Sequence, residues 1–147
     1  MFEHYSLSEI IRFLENKDYE KFIIADNYAS VWSIDSMEII IEAPDNIIPD
    51  KNAELTVKVL KNLDECVSKA HKWLEHFNIK KDRWYPNALD KGFEVNGIYT
   101  GSYDCGHYPS KTYGFTITFG CVNSYPCDFT VKFHENLWPF AVEEWVV

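Results

Sequence analysis

Residues 52–77 read NAELTVKVLKNLDECVSKAHKWLEHF, and this stretch decides the fold class. Apolar residues recur along it every three or four positions, at Leu55, Val59, Leu63, Val67, Ala70, Leu74 and Phe77. This spacing predicts one long amphipathic helix from Asn52 to Phe77. Because the apolar stripe is broad, the helix needs a large apolar surface to pack against, and a β-sheet is the expected one.

Three short strands are predicted before this helix. They cover Tyr19–Ala25, Tyr28–Ile34 and Met37–Glu42, and the turns Asp26–Asn27 and Asp35–Ser36 separate them. Strands joined by such tight turns indicate an antiparallel meander. Upstream, Ser6 and Glu9 have the spacing of a helix-capping box, and Leu7, Ile10, Ile11 and Leu14 form one apolar stripe. A short N-terminal helix is therefore expected, ending near Asn16.

Four further strands are predicted after the long helix. They cover Phe93–Tyr99, Tyr113–Cys121, Phe129–Phe133 and Trp138–Val147. In the second of these strands, aromatic and aliphatic residues alternate with Thr116 and Thr118, as expected when one sheet face is buried. Runs of strands separated by helices predict a single α+β domain over residues 1–147. Its antiparallel sheet or sheets, a three-strand and a four-strand meander, would pack on one long helix.

The charge balance restricts the classes of partner. The chain has 147 residues, with 23 acidic and 14 basic side chains, for a net charge of −9. Phosphate backbones repel such a surface, so a nucleic-acid partner is not expected, whereas electrostatic steering favours a basic protein. No apolar run approaches the ~18 residues of a membrane-spanning helix, and no export signal is recognisable at the N-terminus. A cytoplasmic protein with free thiols is expected.

The candidate metal ligands in the sequence are Cys105, His107, Cys121, Cys127 and His134. Zinc sites usually contain paired cysteines in a Cys-x₂₋₄-Cys spacing, which this chain lacks. We therefore predict no metal and no cofactor, and interpret Cys121 as a buried apolar residue. Whether Cys121 and Cys127 pair across a hairpin stays open.

The loop Gly101–Pro109 is the alternative candidate site, through Tyr103, Asp104, Cys105 and His107. A cysteine nucleophile needs a base and an orienting group, and His107 and Asp104 are close to Cys105 in sequence. A small enzyme or ligand-binding module using this loop is thus the second hypothesis, and a structural subunit or homodimer is the third. Adjacent residues of a strand point to opposite faces, so Glu143 and Glu144 cannot form an acid/base pair. We assign no catalytic residue and expect a binding protein, not an enzyme.

The favoured binding surface lies in the N-terminal meander, where acidic and aromatic residues are interspersed. If Glu38, Ile40 and Glu42 share one face, they form a mixed acidic and apolar patch, as protein interfaces often do. The predicted partner-binding residues are Glu20, Asp26, Trp32, Asp35, Glu38, Glu42 and Asp45.

The whole chain resembles the small acidic immunity proteins of bacterial contact-dependent and other polymorphic toxin systems. The likeness rests on short length, negative charge, the α+β layout, the many aromatic residues and the segment FHENLWPFAVEEW at residues 133–145. The chain is also similar to several uncharacterised bacterial families of standalone domains. The resemblance to immunity proteins implies an inhibitor that caps a cognate toxin, often a basic nuclease, with an acidic surface. It transfers no individual site residue.

Overall fold

The computed structural model describes residues 3–76, 93–104, 111–121 and 127–146. These ranges form three helices and eight strands, so the predicted α+β class is confirmed. The helices are α1 (Leu7–Glu15), α2 (Asp50–Lys61) and α3 (Leu63–His76). The strands are β1 (His4–Tyr5), β2 (Ile23–Ala25), β3 (Tyr28–Ser33), β4 (Glu38–Glu42), β5 (Phe93–Tyr103), β6 (Thr112–Cys121), β7 (Cys127–His134) and β8 (Pro139–Val146).

All eight strands belong to one mixed sheet. Its order is β1-β3-β4-β5-β6-β7-β8, and β2 pairs with β3 beside β1. The antiparallel meanders β2-β3-β4 and β5-β6-β7-β8 are present as predicted. The first predicted strand, Tyr19–Ala25, is shorter than expected, because Tyr19–Lys21 forms a single turn of 3-10 helix.

The prediction of a purely antiparallel arrangement was wrong, because two strand pairs are parallel. Strand β1 runs parallel to β3, and β4 runs parallel to β5 with Ile39 opposite Ile98. The β4–β5 pair joins the two meanders into one sheet. Parallel neighbours need a long crossover connection, and helices α2 and α3 lie in the segment that makes it.

The prediction of one uninterrupted helix from Asn52 to Phe77 was also wrong, because the chain forms two helices separated at Asn62. The Asn62 side chain donates from Nδ2 to the carbonyl oxygen of Lys58 at 2.8 Å, in the last turn of α2. Asparagine competes in this way for backbone hydrogen bonds, and Asn62 leaves the helical conformation with φ −118° and ψ 26°. The apolar spacing continues across the break because both helices pack on the same sheet.

The short N-terminal helix is confirmed together with its capping box. The backbone N–H of Glu9 donates to Ser6 Oγ at 3.2 Å, and the backbone N–H of Ser6 donates to Glu9 Oε1 at 3.1 Å. Ile10 and Leu14 of this helix are buried in the core. The N-terminal helix is thus fixed at its start by polar contacts and along its length by apolar burial.

The core lies between one face of the sheet and the three helices. Its largest strand side chains are Phe115, Phe119, Phe129 and Phe133, all fully buried, and the rings of Phe115 and Phe133 stack with centroids 4.5 Å apart. From α3, Cys66 is buried in the same cluster, and this burial raises the pKa of its thiol to about 11. In the part of the chain that the structure describes, every helix packs on this face, which leaves the other face of the sheet uncovered by helix.

Candidate functional site

The uncovered sheet face is the candidate site, and we call it the open face. The cross-strand register sets its members: Trp32 is opposite Glu38, Ser30 is opposite Ile40, and further along Thr116 is opposite both Tyr99 and Lys132. The open face comprises Tyr28, Ser30, Trp32, Glu38, Ile40, Glu42, Tyr99, Tyr103, Thr116, Thr118, Thr130, Lys132 and Glu143.

The first half of the open face is acidic and apolar. Glu38, Ile40 and Glu42 alternate with buried Ile39 and Ile41 along β4, so all three point to the open face and are half-buried. Beside them on β3 lie Trp32, which stacks on the His4 ring at 6.3 Å, and Tyr28, which is 48% exposed. The structure therefore brings acidic and aromatic side chains together on one surface.

Glu42 has a structural role as well as a place on the open face. Its Oε1 accepts a hydrogen bond from the backbone N–H of Ser102 at 3.1 Å, just past the parallel register of β4 and β5. Its backbone carbonyl oxygen accepts from Nδ2 of Asn52 at 2.9 Å, and Asn52 Oδ1 in turn accepts from the Tyr113 hydroxyl at 2.8 Å. These contacts hold the acidic half of the face to both β5 and α2.

Tyr99 covers a glycine at the centre of the open face. Its hydroxyl donates to the carbonyl oxygen of Ser102 at 2.7 Å, which carries the side chain past Gly101. A Cβ on Gly101 would lie 3.0 Å from that hydroxyl. Burial, with Glu42 nearby, raises the pKa of Tyr99 well above its usual value, so the hydroxyl stays protonated and keeps donating. The Tyr28 ring meets Tyr99 at 6.2 Å, so two tyrosines adjoin the acidic half.

The second half of the open face contains a depression of about 560 Å³. Its lining residues are Tyr99, Tyr103, Asp104, Thr116, Thr118, Thr130, Lys132 and Glu143. Lys132 is only 8% exposed, and its amine donates to Glu143 Oε2 at 3.0 Å and to the Asp104 carbonyl oxygen at 2.9 Å. The hydroxyls of Thr118 and Thr130 lie 3.0 Å apart within hydrogen-bonding distance.

Tyr103 forms the far wall of the depression. Its hydroxyl donates to the carbonyl oxygen of Phe133 at 2.7 Å, so its side chain spans strand β6 to reach β7. The Tyr103 ring stacks on Phe140 at 6.4 Å, and Phe140 stacks on His134 at 4.0 Å. The prediction of a loop from Gly101 was wrong, because Gly101–Tyr103 forms the end of strand β5. Tyr103 and Asp104, two of the alternative candidates, therefore lie on the same sheet face as the acidic candidates. The other two, Cys105 and His107, lie outside the described residues.

The remaining acidic candidates lie at the borders of the open face. Asp26 and Asp45 are close together at the Glu42 end, where the backbone N–H of Asp45 donates to Asn27 Oδ1 at 3.0 Å. Asp35 lies in the β3–β4 turn at the opposite end. Glu20 lines a groove of about 340 Å³ beside Trp32. Its carboxyl group shares a hydrogen bond with that of Asp18, which raises the pKa of Asp18 and lowers the pKa of Glu20.

The candidate metal ligands do not all converge. His134 lies at one end of the β6–β7 pair, opposite Gly114. Cys121 and Cys127 lie at the other end, next to the pair that Gly120 forms with Asp128. Six residues of extended strand separate the two ends by roughly 20 Å. The side chains of Cys121 and Cys127 lie outside the described part. Among the described residues, no three His, Cys, Asp or Glu side chains gather into a possible metal site.

The register of β8 gives the strand positions of Glu143 and Glu144; the side chain of Glu144 lies outside the described residues. Glu143 is opposite Thr130 on the open face, whereas Glu144 is opposite Phe129, which points into the core. Sequence analysis had not identified Lys132, Tyr99 or the threonines as candidate site residues. The alternation of Thr116 and Thr118 with buried Phe115 and Ile117 was the available signal for the threonines.

None of the helices in the described residues has the length and apolar character needed to cross a membrane. Comparison of the chain with protein-family models, with curated proteins and with solved structures finds no match.

Proposed function

We propose that this chain is a protein-binding domain whose open face binds a basic protein. The specific form of the proposal is an immunity protein that caps and neutralises a toxin domain. The observation that carries it is the side-by-side placement of Glu38, Ile40 and Glu42 with Trp32 on a sheet face that no described helix covers. An apolar and aromatic centre with charged neighbours is the composition that protein interfaces use.

The electrostatics of the face support a basic partner. Glu38, Glu42 and Glu143 are acidic, and the single lysine among the open-face residues, Lys132, is ion-paired with Glu143. The border adds Asp26, Asp35 and Asp45. Carboxylates concentrated on one surface speed the encounter with a positively charged protein and disfavour acidic competitors.

The face is also ordered before any partner arrives. The Glu42 carboxylate accepts from Ser102, and the hydroxyls of Tyr99 and Tyr103 donate to backbone carbonyl oxygens. Side chains already held in one position lose less conformational entropy on binding, so more of the contact energy contributes to affinity.

The experiment first asks whether a gene next to this one encodes a basic protein domain. Binding of that domain is then measured by surface plasmon resonance over a range of salt concentrations. Glu38→Gln is expected to slow association about twofold or more at low salt, and the difference should shrink as salt rises. Ile40→Ala removes apolar contact and should speed dissociation about fivefold.

The matched control is Glu54→Gln, which removes the same charge from an exposed position on α2 in the helical layer. It should leave both rate constants close to those of the wild type. Equal effects of Glu38→Gln and Glu54→Gln would show that only net charge matters, and the open face would then be the wrong surface. Failure of the wild-type chain to bind a basic domain would reject the proposed function itself.

A further inference from the structure

The depression in the second half of the open face has a distinct chemistry that narrows the kind of partner group it accepts. We propose that it receives one arginine side chain of the basic partner, an inference that rests on the proposed function of the open face. The guanidinium stacks on the ring of Tyr99 and donates hydrogen bonds to the carboxylates of Glu143 and Asp104.

The charges in the depression favour a cation. Lys132 is held by Glu143 and by the carbonyl oxygen of Asp104, so its ammonium is already compensated by one carboxylate. The Asp104 carboxylate remains as surplus negative charge, because the Asp104 contact to Lys132 uses its backbone oxygen. Glu143 keeps a second carboxylate oxygen, and its side chain is 42% exposed. The charged residues that line the depression are one lysine and two acidic residues, so its net charge is negative and disfavours an anionic group.

The arrangement of the two carboxylates suits a group with several donors. The Lys132 amine contacts both the Glu143 carboxylate and the backbone of Asp104, which places these two residues next to each other at the rim. The hydroxyls of Thr116, Thr118 and Thr130 add acceptors below them. A guanidinium carries five N–H donors in a fixed plane, whereas an ammonium is a compact and strongly hydrated charge.

The aromatic wall distinguishes arginine from lysine further. Tyr99 lines the depression, and its hydroxyl is tied to Ser102, so the ring is held in place beside the polar groups. The flat guanidinium stacks on an aromatic face with both cation–π and van der Waals contact. The volume of about 560 Å³ leaves room for the side chain and for bridging water.

The test uses three peptides as probes: an amidated tetra-arginine, a tetra-lysine of equal charge, and a tetra-citrulline that keeps the shape of arginine without its charge. Affinities are measured by calorimetry, and the contacted surface is mapped by NMR from the methyl signals of Thr116, Thr118, Thr130 and Ile40. We expect tetra-arginine to bind about fivefold more tightly than tetra-lysine and to shift the three threonine signals most. Citrulline should not bind measurably.

Two variants locate the arginine. Asp104→Asn keeps the backbone contact to Lys132 and should lower the affinity for tetra-arginine about threefold, with a smaller effect on tetra-lysine. Glu38→Gln, outside the depression, should weaken both peptides equally. Because Asp104 is exposed, this substitution is not expected to affect folding.

Three results would overturn the inference. None of them would decide the proposed function, which is tested separately by binding of a basic protein domain. One is equal affinity for the arginine and lysine peptides, with shifts centred on Ile40 and not on the threonines. Another is binding of tetra-citrulline as tightly as tetra-arginine, which would indicate a neutral polar ligand. The third is no binding of any of the peptides.

Discussion

Gly101 provides the sharpest test of how the open face is built. Its φ of +146° lies in a region that side-chain-bearing residues rarely adopt. A Cβ there would lie 2.5 Å from Glu42 Cβ, 3.0 Å from the Tyr99 hydroxyl and 3.1 Å from Glu42 Oε1. Gly101→Ala therefore forces either the backbone of β5 or the side chains of Glu42 and Tyr99 to move.

The cost follows from these contacts. Placing a residue with a Cβ in this backbone region costs about 1–3 kcal/mol. Displacing Glu42 also weakens the hydrogen bond that its carboxylate accepts from Ser102, a charged bond worth about 1.5 kcal/mol or more. We expect a loss of about 3 kcal/mol in the free energy of unfolding, or a drop in Tm of about 10 °C for a domain of this size.

The matched control is Gly97→Ala, on the same strand and the same face. The nearest atom to a Cβ on Gly97 is the carbonyl oxygen of Glu38 at 3.7 Å, an ordinary contact. Its unfolding free energy should therefore change by less than about 1 kcal/mol. Urea titration and differential scanning calorimetry measure both variants. Equal losses in the two variants, or no loss in Gly101→Ala, would refute the reasoning.

Three further predictions concern other parts of the molecule. Lys132→Met removes an ion pair and a hydrogen bond but keeps the aliphatic part of the side chain. It should lower the free energy of unfolding by about 1–2 kcal/mol, as measured by urea titration. An unchanged urea midpoint would contradict this. Hydrogen bonds from Ser6 lower the pKa of Glu9 in the folded protein. The stability that Glu9 adds relative to Glu9→Ala should therefore be complete above the unfolded-state pKa of 4.5 and disappear as the pH falls through the lower pKa of the folded state. Measurements of Tm against pH for both proteins would show this. An advantage that persists undiminished to pH 2 would rule out this linkage. Burial and the raised pKa should keep the Cys66 thiol unreactive towards iodoacetamide at pH 8 until urea unfolds the protein, which peptide mass mapping can follow; rapid labelling of native Cys66 would disprove its burial.

Local patterns in the sequence were sufficient to predict much of the fold. The Ser6–Glu9 spacing identifies a helix start because both partners of the capping box lie within one turn. Alternation along Glu38–Glu42 predicts which residues share a face because the strand period is a property of the backbone alone. These are contacts between near neighbours in the chain, and the sequence pattern reports them directly.

Contacts between distant segments could not be predicted in the same way. Alternation shows which face a residue of β4 occupies, but it does not show that β5 will pair with β4 in parallel. The depression depends on such pairings, because Lys132, Glu143 and Asp104 come from β7, β8 and the end of β5. The break at Asn62 was missed because the apolar spacing continues unchanged from α2 into α3.

The parallel contact between β4 and β5 has a consequence for how the chain emerges during synthesis. Strand β4 carries three consecutive isoleucines, and the partner for one of its edges is β5, which the ribosome makes only after α2 and α3. Until then a nascent chain displays an unpaired, β-branched edge of the kind that recruits other strands. Fragments that stop before residue 93 should therefore self-associate, and co-translational chaperone binding would be most useful during this interval.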